Sequence, residues 1–339
     1  MVIDGTGQHV VSHATRRQEA SRGAQRRQAA RKRARMQGLL VMRPARPGTL
    51  PSVGIPERSS TAPVSKLSYC SALSNGPTLR EVGEMPAAFT LVAAAASDTG
   101  LVRQNNEDAA YSGRWLFAVA DGLGGHAAGE VASAAAIESL RTHDAEAEPE
   151  VLLEILGSAI REANLEVARR VTEDSSRRGM ATTLTAILWS EDRAALAHIG
   201  DSRAFRLRGG QLRQITEDHT IGKLVSDADF LAPVLSRYID GRPDRSPDLG
   251  LRELRAGDRY LLCSDGLSPV VSAESIREVL ASAATPSEAV RQLVARAEEA
   301  GGPDNVTVVV VDVCEFDARH QSTEPVVLGS AAAVETLTH

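Results

Sequence analysis

Short apolar runs bounded by turn residues recur from about residue 87 onward. LFAVA (Leu116 to Ala120) is one, and TTLTAILW, AALAHIG, RAFRLR, QLRQIT, YLLCS and NVTVVVVDV behave alike, which predicts strands. Gly209-Gly210 between RAFRLR and QLRQIT predicts a hairpin turn. Four stretches carry a helical period instead: 129–140, 151–171, 273–282 and 287–300. In the second of these, Leu156, Ile160, Ala163 and Val167 recur at spacings of four, three and four, one face of a helix. Strand runs joined by short turns, with helices grouped between them, predict an α+β domain of antiparallel sheets covered by helices. Ala87 to Ala96 is apolar enough to suggest a signal-peptide core. It lies far from the N-terminus and reads as the opening strand.

The regular pattern has two irregular flanks. Residues 16–35 are rich in arginine and alanine, and the chain to about residue 80 is dense in Pro, Ser and Gly. Residues 1–86 therefore read as a disordered basic extension, 87–316 as the folded domain and 317–339 as a flexible C-terminal tail. The net charge of -6 conceals this division, because residues 1–85 carry fourteen Lys and Arg against five Asp and Glu. The rest is strongly acidic. The arm reads as an electrostatic contact for nucleic acid, anionic lipid or an acidic partner, or as a solvated extension, or as sequence upstream of a start at Met85. Aromatics make up 3% of the chain, so Ala, Val and Leu carry the packing. No apolar stretch approaches the roughly 18 residues of a membrane span. Cys70, Cys263 and Cys314 lie far apart with no C-x-x-C spacing, which points away from a thiolate zinc site or a disulfide framework and toward a reducing cytoplasm.

VADGLGGHAAGE (Val119 to Glu130) has the glycine spacing of a phosphate cradle, yet Asp121 at its mouth would repel an anion. The next acid about 20 residues on, Asp144, lies in a charged linker instead of at a strand end. A different logic fits. Asp121, Asp201, Asp265 and Asp304 each stand where an apolar run stops or starts. Any one Asp-Gly after a strand is an ordinary turn, but four such carboxylates at one sheet rim repel each other unless a cation neutralises them. Oxygen-only ligands select Mg²⁺ or Mn²⁺ over zinc. Asp121 then reads as a bridging ligand, with Gly122 free to turn its carbonyl to the same ion. RQNNED (Arg103 to Asp108) reads alone as a solvated polar loop. Beside such a rim, Glu107 and Asp108 add ligands or hold waters, and Arg103 offers a fork for two phosphate oxygens.

RQNNED, VADGLGGHAAGE, GMATTLTA, HIGDSRAFRLRGGQL, TEDHT, LLCSDGL and GGPDNVTVVVV, in this order, resemble the PP2C-type metal-dependent Ser/Thr protein phosphatases in their compact bacterial form. The resemblance spans roughly residues 88–315 and implies a four-layer αββα sandwich of two antiparallel sheets flanked by helices. It implies that Asp121 bridges two Mn²⁺ or Mg²⁺ ions, with the Gly122 carbonyl on one and Asp265 and Asp304 on the other. Glu107 and Asp108 would bind through waters or orient them, Asp201 with Asp265 would hold a weaker third ion, and Arg103 would bind substrate phosphate. The reaction implied is in-line attack of a metal-bridged hydroxide on a phosphoserine or phosphothreonine, without a phosphoenzyme. The implied partners are Ser/Thr-phosphorylated proteins opposed by a Ser/Thr kinase.

Two departures stand out. Leu123 occupies the position where members outside bacteria often have a His, leaving His126 to read as a helix-start residue or as a proton shuttle. The segment after DHT is about half the family's usual flap. Two rival readings keep the fold. One is a pseudophosphatase or phospho-binding module, which the full acid set disfavours. The other is a metal-dependent phosphodiesterase, disfavoured because the basic charge lies outside the domain. Cys263 reads as strand packing.

Overall fold

The computed structural model describes residues 89–124, 128–221, 234–316 and 324–332. Its first long strand, β1 (Phe89–Asp98), is followed by β2 (Asp108–Ser112) and β3 (Leu116–Leu123), then by helices α1 (Gly129–Arg141) and α2 (Leu152–Glu173). Next come β4 (Ala181–Thr182), β5 (Leu184–Ser190), β6 (Arg193–Ile199), β7 (Arg203–Arg208), β8 (Gln211–Gln214), β9 (Thr220–Ile221), β10 (Val234–Leu235), β11 (Asp248–Glu253) and β12 (Arg259–Cys263). The chain closes with α3 (Ala273–Ser282), α4 (Pro286–Glu299), β13 (Val306–Glu315) and β14 (Val326–Gly329).

Two large antiparallel sheets result, beside a two-stranded pairing of β10 with β9. One runs β1-β13-β12-β7-β8 and the other β11-β6-β5-β3-β2-β14, with β4 paired to β3. The unbroken apolar run of β13 shows why the sheets are covered on both faces. Val306, Val308 and Val310 pack outward against α3 and α4, while Val309, Val311 and Val313 pack inward with Leu91, Phe117, Ile187 and Leu262 of both sheets. The period of two along a strand thus feeds two cores from one run of valines. On the far side, Leu116, Ala118 and Ala120 pack against Ile137 and Leu140 of α1 and Leu156, Ile160 and Val167 of α2. The order is helix, sheet, sheet, helix, and alanines are frequent in this far core, which lets the layers approach closely.

Local chemistry fixes the element ends. Ser272 accepts from Ser275 N at the start of α3. At α4, Thr285 accepts from Glu288 N, and Glu288 reaches back to Ala284 N at 3.0 Å, with Pro286 opening the helix. Arg208 pairs with Gln211 across Gly209 and Gly210, whose φ values of 57° and 78° are those of the two-residue turn expected there. Asp144 ties the β2–β3 turn, accepting from Tyr111 Oη and from the amides of Arg114, Trp115 and Leu116.

Two expectations are corrected. Asp108 does not sit in a solvated loop: it opens β2, and every residue of that strand is buried. The expected tail at 317–339 contains β14, whose Val326–Gly329 register against Ser112–Ala109 extends the second sheet. A free edge at β2 presents unpaired amides, and a four-residue apolar segment suffices to cover it. Among the described residues no helix is long and apolar enough to cross a membrane.

Phe117 is 1% exposed in the inter-sheet core. Phe117→Ala is expected to lower unfolding free energy by about 3–5 kcal/mol, read from urea denaturation midpoints.

Candidate active site

The alternation that buries β2 and β3 continues past their apolar residues. Ala110 on β2 and Phe117 and Val119 on β3 face the space between the sheets, so Asp108, two residues before Ala110, and Asp121, two residues after Val119, face the same space. They are also cross-strand partners in the β2–β3 register. Like charges directly opposite each other destabilise a sheet, so this pairing runs against local preference.

The other acids arrive from strand ends around them. Asp201 follows β6, Asp265 follows β12 and Asp304 precedes β13. Burial, then the charges of Asp108, Asp265 and Asp201, push Asp121 well above the usual carboxylate range. Burial lifts Asp108 to about 7 against the opposing hydrogen bond from Ser264. Asp201 rises to about 6 through burial and Asp265, and Asp265 rises through burial and Asp304. Among the described residues no three His, Cys, Asp or Glu side chains are drawn tightly enough together to grip one ion. The carboxylates are close enough to raise one another's affinity for protons.

Several neighbours fix them. Asp121 N donates to Thr183 Oγ1 at 3.0 Å, and its carbonyl accepts from Thr182 Oγ1 at 2.9 Å and Thr183 N at 2.9 Å. Ser264 Oγ donates to Asp108 Oδ2 at 2.7 Å and accepts from Thr307 N at 3.0 Å. Asn305 fastens the loop before β2: its Oδ1 accepts from Glu107 N at 2.8 Å, and its Nδ2 donates to Thr99 O and Asn105 O. Gly122 is backed so closely that a Cβ would lie 2.3 Å from Gly129 O and 2.6 Å from Glu107 O. The Glu107 carboxyl, raised by burial and then by Glu130, lies beside the start of α1. Arg103 reaches in from the exposed side, with Nη2 2.8 Å from Asp304 Oδ2.

Two observations favour a cation here. Asp201 Oδ1 is buried with no hydrogen-bond partner, and an oxygen-only donor set of this charge suits Mg²⁺ or Mn²⁺. Cys263 faces the outer core, and burial pushes its thiol up to about 12, so it remains protonated, as packing requires.

A family model described as Protein phosphatase 2C matches residues 94–305. The chain belongs to the protein phosphatase 2C family. This family member is 45% identical over 249 residues to the Serine/threonine protein phosphatase PstP of Mycobacterium tuberculosis, covering 70% of this chain and 48% of PstP. It therefore spans about half the length of that relative. It is 32% identical to the Protein phosphatase PhpP of Streptococcus pneumoniae, covering 66% of this chain and 98% of PhpP. A crystal structure of the PstP catalytic domain in complex with two manganese ions matches with a TM-score of 0.63 at 47% identity, covering 67% of this chain and all of that one.

Arg103, Glu107, Asp108, Asp121, Gly122, Asp201, Asp265 and Asp304 all fall at or around this rim. His126 lies outside the described residues, as does the segment between His219 and Val234 apart from the two residues of β9. Ser264 and Asn305 were not singled out from the sequence, although both sit beside acids that were: SDG and DNV carry them. Asn305→Ala is expected to cost about 1–3 kcal/mol through its lost hydrogen bonds, checked by denaturant unfolding. Faster amide exchange across 99–107 would accompany it.

Proposed function

We propose that this protein is a metal-dependent phosphoserine and phosphothreonine protein phosphatase. The observation that carries the reading is the convergence of Asp108, Asp121, Asp201, Asp265 and Asp304 on one inter-sheet rim with Arg103 beside it. When bound, two Mn²⁺ or Mg²⁺ ions would supply an activated water at neutral pH and positive charge for the phosphoryl oxygens.

Each residue then has a task. Asp121 stands between the acid groups and would bridge the two ions, its backbone held by Thr182 and Thr183. The Gly122 carbonyl would face one ion, and the crowding behind Gly122 excludes any side chain there. Asp265 and Asp304 would hold the other ion, and Asp201 with Asp265 a weaker third. Glu107 and Asp108 would orient waters, with Ser264 fixing the rotamer of Asp108. Arg103 would exchange its Asp304 partner for two phosphate oxygens, an exchange favoured once Asp304 is engaged by a cation. The same guanidinium would stabilise charge developing on those oxygens during in-line displacement.

The substrates we infer are Ser/Thr-phosphorylated proteins, modified by an opposing Ser/Thr kinase. The basic extension at residues 1–86 would contact an acidic partner and take no part in the chemistry. A reducing, cytoplasmic setting suits the free thiols of Cys263 and Cys314.

Release of phosphate from a phosphothreonine peptide with Mn²⁺ tests the class. Asp121→Asn, Asp265→Asn and Asp304→Asn are each expected to reduce the rate by about 10²-fold or more while circular dichroism stays that of the wild type. Near-normal rates at limiting Mn²⁺ would contradict the assignment. Mn²⁺ is also expected to raise the melting temperature of the wild type through binding to the folded state, and Asp121→Asn should suppress most of that rise. Deletion of residues 1–84 is expected to leave peptide turnover unchanged.

A further inference from the structure

At another edge of the sandwich, β8 and β11 end their respective sheets, and a cavity of about 470 Å³ opens beside them. It is lined by Arg206 on β7, Arg213 on β8 and Arg252 on β11, with Leu196, Ile215 and Leu249 as apolar wall. Arg206 and Arg213 are direct cross-strand partners. Two guanidinium groups so placed repel each other as Asp108 and Asp121 do. None of the three arginines is in an ion pair with a described carboxylate, and Arg206 Nε is buried without a hydrogen-bond partner.

The acids that share the cavity leave this charge standing. Asp248 is taken up by Arg237, with Nη1 to Oδ1 at 2.7 Å, and by His219, whose Nε2 lies 3.1 Å from Oδ2. Glu217 is exposed, and its carbonyl meets His198 Nε2 at 3.0 Å. Arg206 shares a hydrogen bond with Tyr260 and Arg252 Nη1 donates to Leu251 O at 2.9 Å, which leaves the three guanidinium forks with donors to spare against the one uncommitted carboxylate of Glu217. The volume falls in the range of small-molecule pockets, about 300–1,000 Å³, and is far larger than a single oxyanion needs. Guanidinium planes pair with phosphate oxygens and stack on planar rings, and the leucine and isoleucine wall receives an apolar body.

We propose that this cavity binds a nucleoside phosphate, with the phosphates on Arg206 and Arg213 and the base between Arg252 and the apolar wall. The ligand would touch His198 and Asp248. Asp248 holds His219, whose Nδ1 accepts from Gly200 N at 3.1 Å, one residue before Asp201. The cavity is thus joined to the acid rim by a short chain of hydrogen bonds. Binding itself does not depend on the phosphatase reading.

Isothermal titration calorimetry on the full chain and on Asp121→Asn, with adenosine and guanosine triphosphates, tripolyphosphate and adenosine, tests the site. The nucleotides are expected to bind both proteins, more tightly than tripolyphosphate or adenosine. Arg213→Gln and Arg252→Gln should each weaken that binding about tenfold or more. Arg213 is exposed, so its replacement leaves the fold intact, and an unchanged melting temperature checks this. Four results would overturn the proposal: no nucleotide binding; equal binding of tripolyphosphate, which marks a surface of charge alone; loss on Asp121→Asn with the arginine variants unaffected, which puts the ligand at the acid rim; or arginine-dependent binding of a phosphopeptide and no nucleotide. Phosphopeptide turnover, measured separately, is untouched by any of them.

Discussion

Two carboxylates placed opposite each other on neighbouring strands, at the buried end of an inter-sheet face, cannot both carry charge without a compensating cation or proton. Asp108 and Asp121 are in that position because Ala110, Phe117 and Val119 anchor the same face in the core. The scaffold decides where the acids go, and the apolar layers above and below supply the stability that the acids oppose. Asp201, Asp265 and Asp304 then crowd the same space from three other strand ends. A structure that satisfies its local preferences at the start of α4 and at the β7–β8 turn violates them here. Such a concentrated violation is what a functional site looks like when the rest of a sequence agrees with its fold.

Much of this was legible in the residues themselves. The helices were, because Leu156, Ile160, Ala163 and Val167 declare one face whatever lies beyond it. The β7–β8 hairpin was, because paired glycines are the simplest route to two positive φ values. The acids at strand ends were visible as a set, and the resemblance of their motifs gave the four layers. Other features depend on partners distant in sequence. Asp108 looked like loop because its polar neighbours precede it, and only pairing with Asp121 and the Ser264 hydroxyl makes it strand. β11, with DLGLRE, carries too little apolar signal to declare itself and exists by pairing with β6. β14 is four residues long and exists by pairing with β2. Asn305 gave no signal either, since an Asn after Asp is an ordinary turn residue until its amide is seen holding three backbone groups of another loop.

The sandwich carries unusual charge in two places, of opposite sign. In each, two like-charged side chains are direct cross-strand partners: Asp108 with Asp121, and Arg206 with Arg213. Antiparallel pairing provides the device in both cases, since register alone forces the two groups onto one face. Between them run β6 and the residues that follow it, where His198 bonds Thr185 Oγ1 and Glu217 O, and Gly200 N donates to His219 Nδ1.

The pairing of β1 with β13 has a further consequence for how the molecule comes into being. Phe89 meets Glu315, and Asp98 meets Val306, so the first described strand finds its partner only after more than two hundred intervening residues exist. The amide of Asn305, which fastens the loop leading to Asp108, arrives equally late. On a ribosome, the early segments therefore wait with exposed apolar faces until the distal valines emerge, which makes folding slow and dependent on long-range closure. A translation product ending before β13 lacks both the partner of β1 and the Asn305 amide that fastens the loop leading to Asp108.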